Sequence, residues 1–301
     1  MKVLVLGGTG MLGHKVYQVL KERFAGTYCA IRQSKRDERI AKVSLLQSDT
    51  VIGDVNVEDL HSLASLLDES RPEVIVNCAG IIKQRAEAKA SLPSIKVNSL
   101  LPHWLAERCS SWDGRLIHIS TDCVFSGKGK RTHGGYTESD LSDAEDLYGK
   151  SKHLGEVLAE NAITLRTSII GRELFNRSSL LEWFLSQQKN QVAGFRNALY
   201  SGVTTNHLAE VIGDVIQFHP QLSGLYQVTS QTISKYELLC LLRDAYKWDV
   251  EIVPDESFHC DRSMLGDKFR RATGYVCPPW PNLTAQLAND ATPYEHWRNE
   301  R

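Results

Sequence analysis

A glycine-rich turn between an apolar run and an amphipathic segment constrains the start of this chain more than any other feature. Lys2–Leu6 is short, apolar and β-branched, as is typical of a buried parallel strand, and Met11–Phe24 carries apolar residues at helical spacing. Gly7 permits a tight turn, Gly10 lets the backbone approach a pyrophosphate, and Gly13 lets the helix pack against the strand. A helix N-terminus also offers unpaired N–H groups to an anion. The expected phosphate contacts are Gly7, Thr9, Gly10, Met11, Leu12 and Gly13.

Strand-like and helix-like segments alternate along the first part of the chain. Further strand-like runs are Thr27–Ile31, Val51–Ile52, Val74–Cys78, Arg115–Ile119 and Ile163–Leu165, and the helix-like segments are Asn56–Leu67, Leu100–Cys109 and Tyr148–Asn161. This alternation indicates an α/β fold with a doubly wound parallel sheet of the Rossmann type. We expect a dinucleotide-binding domain over 1–171, to which 203–222 return, and a smaller C-terminal substrate-binding lobe over 172–301.

Composition argues against several classes of function. The formal net charge is -1, which implies no general attraction to nucleic acid or to a membrane surface. No apolar run approaches the roughly 20 residues that span a bilayer. The seven cysteines show no CxxC spacing, which fits a reducing compartment, so we expect a cytoplasmic protein. His259, Cys260 and Cys277 match no known zinc spacing, and no metal is expected.

The residues after the second strand bear on which dinucleotide binds. An acidic residue here would hold the ribose 2′-hydroxyl of NAD, but this sequence has Arg32 and then the basic run Lys35–Arg36. A guanidinium can stack on adenine and pair with a 2′-phosphate. The local chemistry therefore favours NADP(H) over NAD(H), although a solvated basic loop would have the same composition. Asp54 and Val55 are expected near the adenine, and Asp54 could instead cap the following helix.

Tyr148 and Lys152 stand four residues apart, so on a helix their side chains share a face. A free tyrosine has a pKa near 10, too high for efficient proton transfer at pH 7. A neighbouring ammonium lowers that pKa because it favours the phenolate. Taken alone, the pair is also common by chance on helices.

Other motifs at sheet-edge positions support a catalytic role for this pair. Thr121 follows a strand, and its hydroxyl could bond a substrate carbonyl. The small residues of Asn77–Gly80 end another strand and would let a cofactor lie close, and Asn98 on the next helix could bond the backbone there. Together these motifs predict an active site at the carboxyl edge of the sheet.

The chain resembles the extended short-chain dehydrogenases/reductases, and among them the dTDP-4-dehydrorhamnose reductases and their sugar-nucleotide relatives. The matching stretches are Gly7–Gly13, Asn77–Gly80, Ser120–Phe125 and Tyr148–Lys152 with Gly155-Glu156, and more weakly Leu165–Ser168 and Arg262–Leu265. The resemblance covers most of the chain and is firm up to about Gly171. It implies that Thr121, Tyr148 and Lys152 form a catalytic triad. The cofactor contacts expected besides the glycine turn are Arg32, Asp54, Val55, Cys78, Ala79, Gly80, Asn98, Tyr148 and Lys152.

Departures from these relatives bear on the reaction. Dehydratases of the superfamily carry Thr-Asp-Glu where this chain has Thr121-Asp122-Cys123, so the resemblance implies reduction and not dehydration. The segment Ile81–Arg85 also differs from the rhamnose enzymes. The expected reaction is NADPH-dependent reduction of the 4-keto group of a nucleotide-linked 4-keto-6-deoxy sugar, for a deoxysugar of surface polysaccharide. The expected substrate contacts are Lys83, Asp122, Val124, Phe125, Arg196 and Arg262.

Two other functions fit the same motifs. A non-catalytic, NADP-binding regulatory subunit could keep the glycine turn, but such proteins can dispense with the tyrosine and lysine that this chain retains. A bifunctional epimerase/reductase would need an additional base, and neither His118 nor His133 can be assigned that role from the sequence. The expected partner is the nucleotide-sugar substrate, with no nucleic acid and no membrane. A homodimer is compatible with the sequence.

Overall fold

The computed structural model describes residues 1–82, 90–128 and 134–299, the last without its side chain. Its strands are β1 (Lys2–Leu6), β2 (Gly26–Ala30), β3 (Val51–Ile52), β4 (Val74–Asn77), β5 (Arg115–Thr121), β6 (Ala162–Thr167), β7 (Ile169–Ile170), β8 (Gln191–Phe195), β9 (Ala198–Tyr200), β10 (Val203–Thr204), β11 (Gly224–Gln227), β12 (Ile233–Ser234), β13 (Glu251–Asp255) and β14 (Cys260–Asp261). Seven of them form a parallel sheet in the order β11-β6-β5-β4-β1-β2-β3. The expected doubly wound Rossmann sheet is confirmed.

Helices cover both faces of this sheet. They are α1 (Gly13–Arg23), α2 (Glu38–Ala41), α3 (Leu60–Ser70), α4 (Ser91–Ser94), α5 (Leu101–Ser110), α6 (Leu147–Leu154), α7 (Leu180–Leu185), α8 (Thr205–Phe218), α9 (Lys235–Tyr246), α10 (Asp267–Thr273), α11 (Trp280–Ala288) and α12 (Tyr294–Asn299). A π-helical segment, Ile95–Leu100, joins α4 to α5, and short 3-10 helices span Ser44–Gln47 and Asp122–Val124.

The first strand shows how the sequence forms the two layers. Strand side chains alternate between faces, so Val3 and Val5 pack beneath one helical layer while Leu4 and Leu6 pack beneath the other. All four are at most 2% exposed. Burial of each contributes about 1.5–3 kcal/mol. The central strands are therefore apolar on both faces, and polar residues concentrate where the strands end.

The segment after β10 returns to the sheet. Arg23 of α1 forms two ion pairs with α8, which packs against it. The edge strand β11 then pairs with β6, so the return runs through Gln227, beyond the expected 203–222. Tyr294 near the C-terminus also packs into the core beside α1. The two halves of the chain thus share one sheet and one of its helical layers.

The helix that carries Tyr148 is shorter than the expected Tyr148–Asn161, because α6 ends at Leu154. A Cβ on Gly155 would lie 1.9 Å from the Asn98 carbonyl oxygen, so the chain passes directly over the π-helical segment. Glu156 then turns inward, where its carboxylate accepts from the Arg166 guanidinium at 2.7 and 2.8 Å. This buried ion pair stops the helix and fixes α6 to β6.

The smaller lobe lies over the carboxyl edge of the sheet. Its strands form a parallel pair, β8 with β13, and a three-stranded group, β12-β9-β14. An apolar cluster beneath them includes Ile170, Leu181, Phe184, Leu238, Trp280 and Leu283. In the part of the chain that the structure describes, no helix is both long enough and apolar enough to cross a membrane.

Candidate active site

A cavity of about 400 Å³ opens at the carboxyl ends of the central strands, where the sheet order reverses between β1 and β4. Ligands of open α/β sheets bind at such a point, and the volume suits a small-molecule site. Its wall brings together residues of the glycine turn, the end of β4, the turn after β5, the start of α6 and the second lobe, namely Thr9, Gly10, Met11, Leu12, Cys78, Ala79, Gly80, Thr121, Asp122, Tyr148, Lys152 and Arg262.

The glycine turn packs too closely for side chains at Gly7 and Gly13. Gly7 has a φ of +83°, and a Cβ there would lie 2.8 Å from the Ala79 amide nitrogen. A Cβ on Gly13 would lie 2.2 Å from the Gly7 carbonyl oxygen, so α1 begins directly on the turn. Gly10 lines the cavity. The turn therefore leaves room for a phosphate at the N-terminus of α1, whose dipole and N–H groups favour an anion.

The loops after β2 and β3 lie beside the glycine turn, where the Thr9 hydroxyl donates to the Gln33 side chain at 3.5 Å. Arg32 is exposed, whereas the Lys35 ammonium donates to the Ser48 carbonyl at 2.8 Å and is already engaged. The Val55 amide donates to the Ile31 carbonyl at 3.0 Å, which holds the two loops together. Asp54 is exposed beside them with a φ of +61°. Of the expected basic residues on these loops, Arg32 is thus better placed than Lys35 to meet a ligand.

Tyr148 reaches the cavity near the start of α6. The Asp146 carboxylate caps this helix by accepting from the Gly149 amide at 2.8 Å. Burial raises the pKa of Tyr148, the neighbouring Cys123 and Asp122 raise it further, and a hydrogen bond with the Thr121 hydroxyl opposes them. Tyr148 is therefore a protonated phenol at neutral pH, the form that can deliver a proton.

Lys152 lies one turn further along α6 and is 5% exposed. Its Nζ donates to the Ile119 carbonyl at 2.6 Å and lies 3.3 Å from Nε2 of His118. Burial lowers the pKa of Lys152 to about 8, although the charges of Glu156 and Cys78 oppose the shift. The amine thus gains or loses its proton close to the pH at which an enzyme works.

Asn98 supports the site from behind and is fully buried. Its side chain accepts from the Ile81 amide at 2.9 Å and donates to the Ile81 carbonyl at 3.0 Å. It also donates to the Ser151 hydroxyl at 3.1 Å. Asn98 therefore ties the loop after β4 to α6, and it is not among the residues that line the cavity.

A family model described as the RmlD substrate binding domain matches residues 1–280. The chain belongs to this family. Among curated relatives of this RmlD-family chain, the spore coat polysaccharide biosynthesis protein SpsK of Bacillus subtilis is 27% identical over 242 residues, 78% of this chain and 75% of SpsK. The methionine adenosyltransferase 2 subunit beta of Rattus norvegicus is 27% identical over 261 residues, 81% of this chain and 72% of that protein.

Solved structures with the same fold include two from Bacillus anthracis. A dTDP-4-dehydrorhamnose reductase in complex with NADP superposes with a TM-score of 0.77 at 20% identity, covering 96% of this chain and 99% of that one. A dTDP-glucose 4,6-dehydratase in complex with NAD superposes with a TM-score of 0.78 at 16% identity, covering 99% of this chain and 98% of that one. The RmlD-family chain thus has the fold of the extended short-chain dehydrogenases/reductases, as the resemblance implied.

The expected substrate contacts fall in different places in this RmlD-family chain. Asp122 and Arg262 line the cavity. Val124 and Phe125 do not: both are fully buried in a cluster with Tyr136 and Met264, where the Phe125 ring stacks on the Tyr136 ring at 3.6 Å. The prediction that Val124 and Phe125 contact the substrate is therefore corrected. The 3-10 turn after Thr121 directs these apolar side chains inward.

Of the other expected contacts, only Arg196 is among the described residues. Arg196 is exposed in the smaller lobe, with its guanidinium over the Tyr236 ring at 4.7 Å. It therefore packs on the surface of that lobe and is not among the residues that line the cavity. Lys83 and Arg85 lie outside the described residues, as does His133.

Sequence reasoning missed Lys235, the first residue of α9. Its Nζ lies 3.7 Å from the centre of the Tyr200 ring. Burial lowers the pKa of Lys235 to about 8, and the negative charge of Asp122 partly offsets this effect. No sequence motif links Lys235 to Asp122, because 113 positions of chain separate two residues that only the folding of the second lobe brings together.

Two negative findings limit the chemistry. Within the described ranges, no cluster of three or more His, Cys, Asp or Glu side chains could hold a metal ion. Burial, and to a smaller extent the charge of Asp122, raises the pKa of the Cys123 thiol to about 12. Because the thiolate is the nucleophilic form, Cys123 lines the cavity as a neutral thiol and not as a nucleophile.

Proposed function

We propose that this protein reduces the 4-keto group of a nucleotide-linked 4-keto-6-deoxy sugar with NADPH, in the biosynthesis of a deoxysugar for a surface polysaccharide. The observation that carries the proposal is one cavity lined by the glycine turn and by Thr121, Tyr148 and Lys152. Membership of the RmlD family supports a sugar-nucleotide oxidoreductase. The relative named for spore coat polysaccharide biosynthesis supports the pathway.

The residues of the site fit a nicotinamide dinucleotide. The tight packing of Gly7 and Gly13 leaves the N-terminus of α1 open to a pyrophosphate. The small residues Ala79 and Gly80 would let the rest of the dinucleotide lie against the sheet edge. The two solved structures hold NADP and NAD, respectively. The exposed Arg32 supports NADP(H), since a guanidinium pairs with a 2′-phosphate. When bound, the cofactor supplies the hydride that reduces the carbonyl carbon.

The side chains of the chain itself handle the carbonyl oxygen and its proton. The Thr121 and Tyr148 hydroxyls hold the oxygen, and the protonated Tyr148 phenol donates to it. The Lys152 ammonium stabilises the phenolate that remains. Cys123 stands where dehydratases carry their acid and has its pKa raised by burial, which supports simple reduction.

Nucleotide-linked 4-keto-6-deoxy sugars would be screened with NADPH, and its oxidation followed by absorbance. Tyr148→Phe should lose turnover, since proton transfer of this kind contributes roughly 10²–10⁴-fold, while dinucleotide affinity stays within about twofold. Lys150→Met, an exposed change on the same helix, is the matched control and should keep full activity. Full activity in Tyr148→Phe would refute the mechanism.

A second candidate function is a non-catalytic regulatory subunit that binds NADP. The observation that favours it is the similarity to methionine adenosyltransferase 2 subunit beta over 81% of this chain. Such a subunit would bind NADP in a thermal-shift assay but would oxidise NADPH with none of the keto sugars. Its NADP binding would be unchanged by Tyr148→Phe. Turnover that depends on Tyr148 would exclude it.

A further inference from the structure

A chain of hydrogen bonds runs behind the catalytic lysine and lies outside the cavity wall. Asn77, the last residue of β4, is paired with His118 of β5 in the sheet register, so their side chains lie side by side. The Asn77 amide nitrogen is 3.2 Å from Nδ1 of His118. Nε2 of the same ring is 3.3 Å from Nζ of Lys152. All three residues are at most 5% exposed.

The backbone fixes which atoms donate along this chain. The Ala79 amide donates at 3.1 Å to the Asn77 side chain, and only the carbonyl oxygen of that side chain can accept. The Asn77 NH₂ group therefore faces His118 and donates to Nδ1. A neutral imidazole that accepts at Nδ1 carries its proton on Nε2. Burial holds the pKa of His118 well below its usual value, so the ring is neutral.

This tautomer places an N–H group against Lys152. An ammonium has three hydrogen-bond donors and no acceptor. A charged Lys152 could therefore not accept a hydrogen bond from the His118 N–H, and two donors would face each other. A neutral amine can accept from Nε2 and still donate to the Ile119 carbonyl at 2.6 Å. The other charged or titratable groups that act on this pair are Glu156 and Cys78, on Lys152, and His103, on His118.

We propose that His118, held by Asn77 as the Nε2–H tautomer, is a positioning residue that donates to Lys152 and favours its neutral amine in the ligand-free protein. Because a neutral amine does not stabilise the phenolate as an ammonium does, Tyr148 then keeps its phenolic proton, which is the state required of a proton donor. The inference rests on the proposed function only where it gives Lys152 a role in catalysis. The tautomer itself depends on the contacts alone.

The test is NMR of the ligand-free protein labelled with ¹⁵N in histidine and ¹³C at lysine Cε. His118 should carry its proton on Nε2. His14 is an internal reference of opposite sense, because its Nδ1 donates to the Gly10 carbonyl at 2.8 Å and its Nε2 accepts from the Tyr294 hydroxyl at 2.8 Å. The His118→Leu spectrum, from which one ring disappears, assigns the signal.

Two variants test the effect on Lys152. His118→Leu should raise the midpoint of the Lys152 titration by about one pH unit, since a hydrogen bond worth about 1 kcal/mol is lost from the neutral form. Asn77→Asp, which can only accept, should move the His118 proton to Nδ1 and also raise that midpoint. Ile117→Val, a buried change on the same strand, should alter neither, as a control for loosening of β5.

A wild-type His118 proton on Nδ1 would overturn the proposal, as would an unchanged Lys152 titration in His118→Leu or a proton retained on Nε2 in Asn77→Asp. No substrate or cofactor is present in these measurements. Failure of the keto-sugar screen would therefore leave the proposal standing, and failure here would leave the proposed reaction standing. If either variant does not fold, the other and the wild-type tautomer still decide.

Discussion

Gly149 of the catalytic helix lies against the backbone of Cys123, and a Cβ on Gly149 would fall 2.2 Å from the Cys123 carbonyl oxygen. This contact brings α6 down onto the turn that follows Thr121. It lets the phenol of Tyr148, the preceding residue, interact with the Thr121 hydroxyl. The glycine within the Tyr148–Lys152 motif therefore sets the distance between two members of the catalytic group.

Gly149→Ala should move α6 away from this turn. Overpacking of this kind costs about 1–3 kcal/mol, so the free energy of unfolding in urea should fall by that amount and turnover should fall with it. Lys150→Ala, an exposed change at the next position, should stay within about 0.5 kcal/mol of the wild type. An alanine variant with wild-type stability and activity would show that the close contact is unimportant.

Lys152 should leave a signature in the pH dependence of stability. Its pKa is lowered from 10.5 to about 8, so between these values the unfolded chain binds more protons than the folded one and wild-type stability rises with pH. Lys152→Met has no amine at this position and lacks this pH dependence. Between pH 8 and pH 10.5, the unfolding free energy of the wild type should therefore rise by up to about 3 kcal/mol relative to that of the variant. Chemical denaturation at a series of pH values measures it.

The control for this prediction is Lys150→Met, because Lys150 is exposed. Its unfolding free energy should run parallel to that of the wild type across the same pH range. A Lys152→Met curve that is also parallel would mean that Lys152 keeps an ordinary pKa in the folded protein.

Arg32 should select the phosphorylated dinucleotide. A charge-assisted hydrogen bond is worth about 1.5–3 kcal/mol, so Arg32→Ala should weaken NADPH binding roughly 10–100-fold and NADH binding much less. Fluorescence titration with each dinucleotide provides the two dissociation constants. Arg270→Ala, on α10, removes another largely exposed arginine and should change neither. Equal losses for both dinucleotides would contradict the role in selection.

Lys235 should act on the substrate and not on the cofactor. It is a partly buried cation of the second lobe, with Nζ 3.7 Å from the centre of the Tyr200 ring. Burial lowers its pKa, and the charge of Asp122, a residue of the cavity wall, opposes that shift. Lys235→Met should raise KM for the keto sugar, with kcat and the NADPH dissociation constant nearly unchanged. Lys268→Met is the matched control, since Lys268 also stacks on a tyrosine, Tyr226 at 4.4 Å. A fall in kcat alone would argue for a role in the chemical step.

Several of these features could be predicted from sequence because they depend on neighbours in the chain. The order strand, glycine turn, helix is a local pattern, and the structure contains it as β1, Gly7–Gly13 and α1. The four-residue spacing of Tyr148 and Lys152 places them on one face of any helix. The end of that helix was not predicted, because it depends on Glu156 meeting Arg166 on another strand.

The sequence by itself determined the Rossmann sheet, the glycine turn and the identity of the tyrosine–lysine pair, because hydrophobic periodicity and backbone conformation depend on residues that are neighbours in the chain. Only the tertiary structure decided that Val124 and Phe125 turn inward, that Lys235 comes under the influence of the Asp122 charge, and that His118 stands between Asn77 and Lys152. These contacts join residues far apart in the chain. They arise from strand register and lobe packing, which no local pattern specifies.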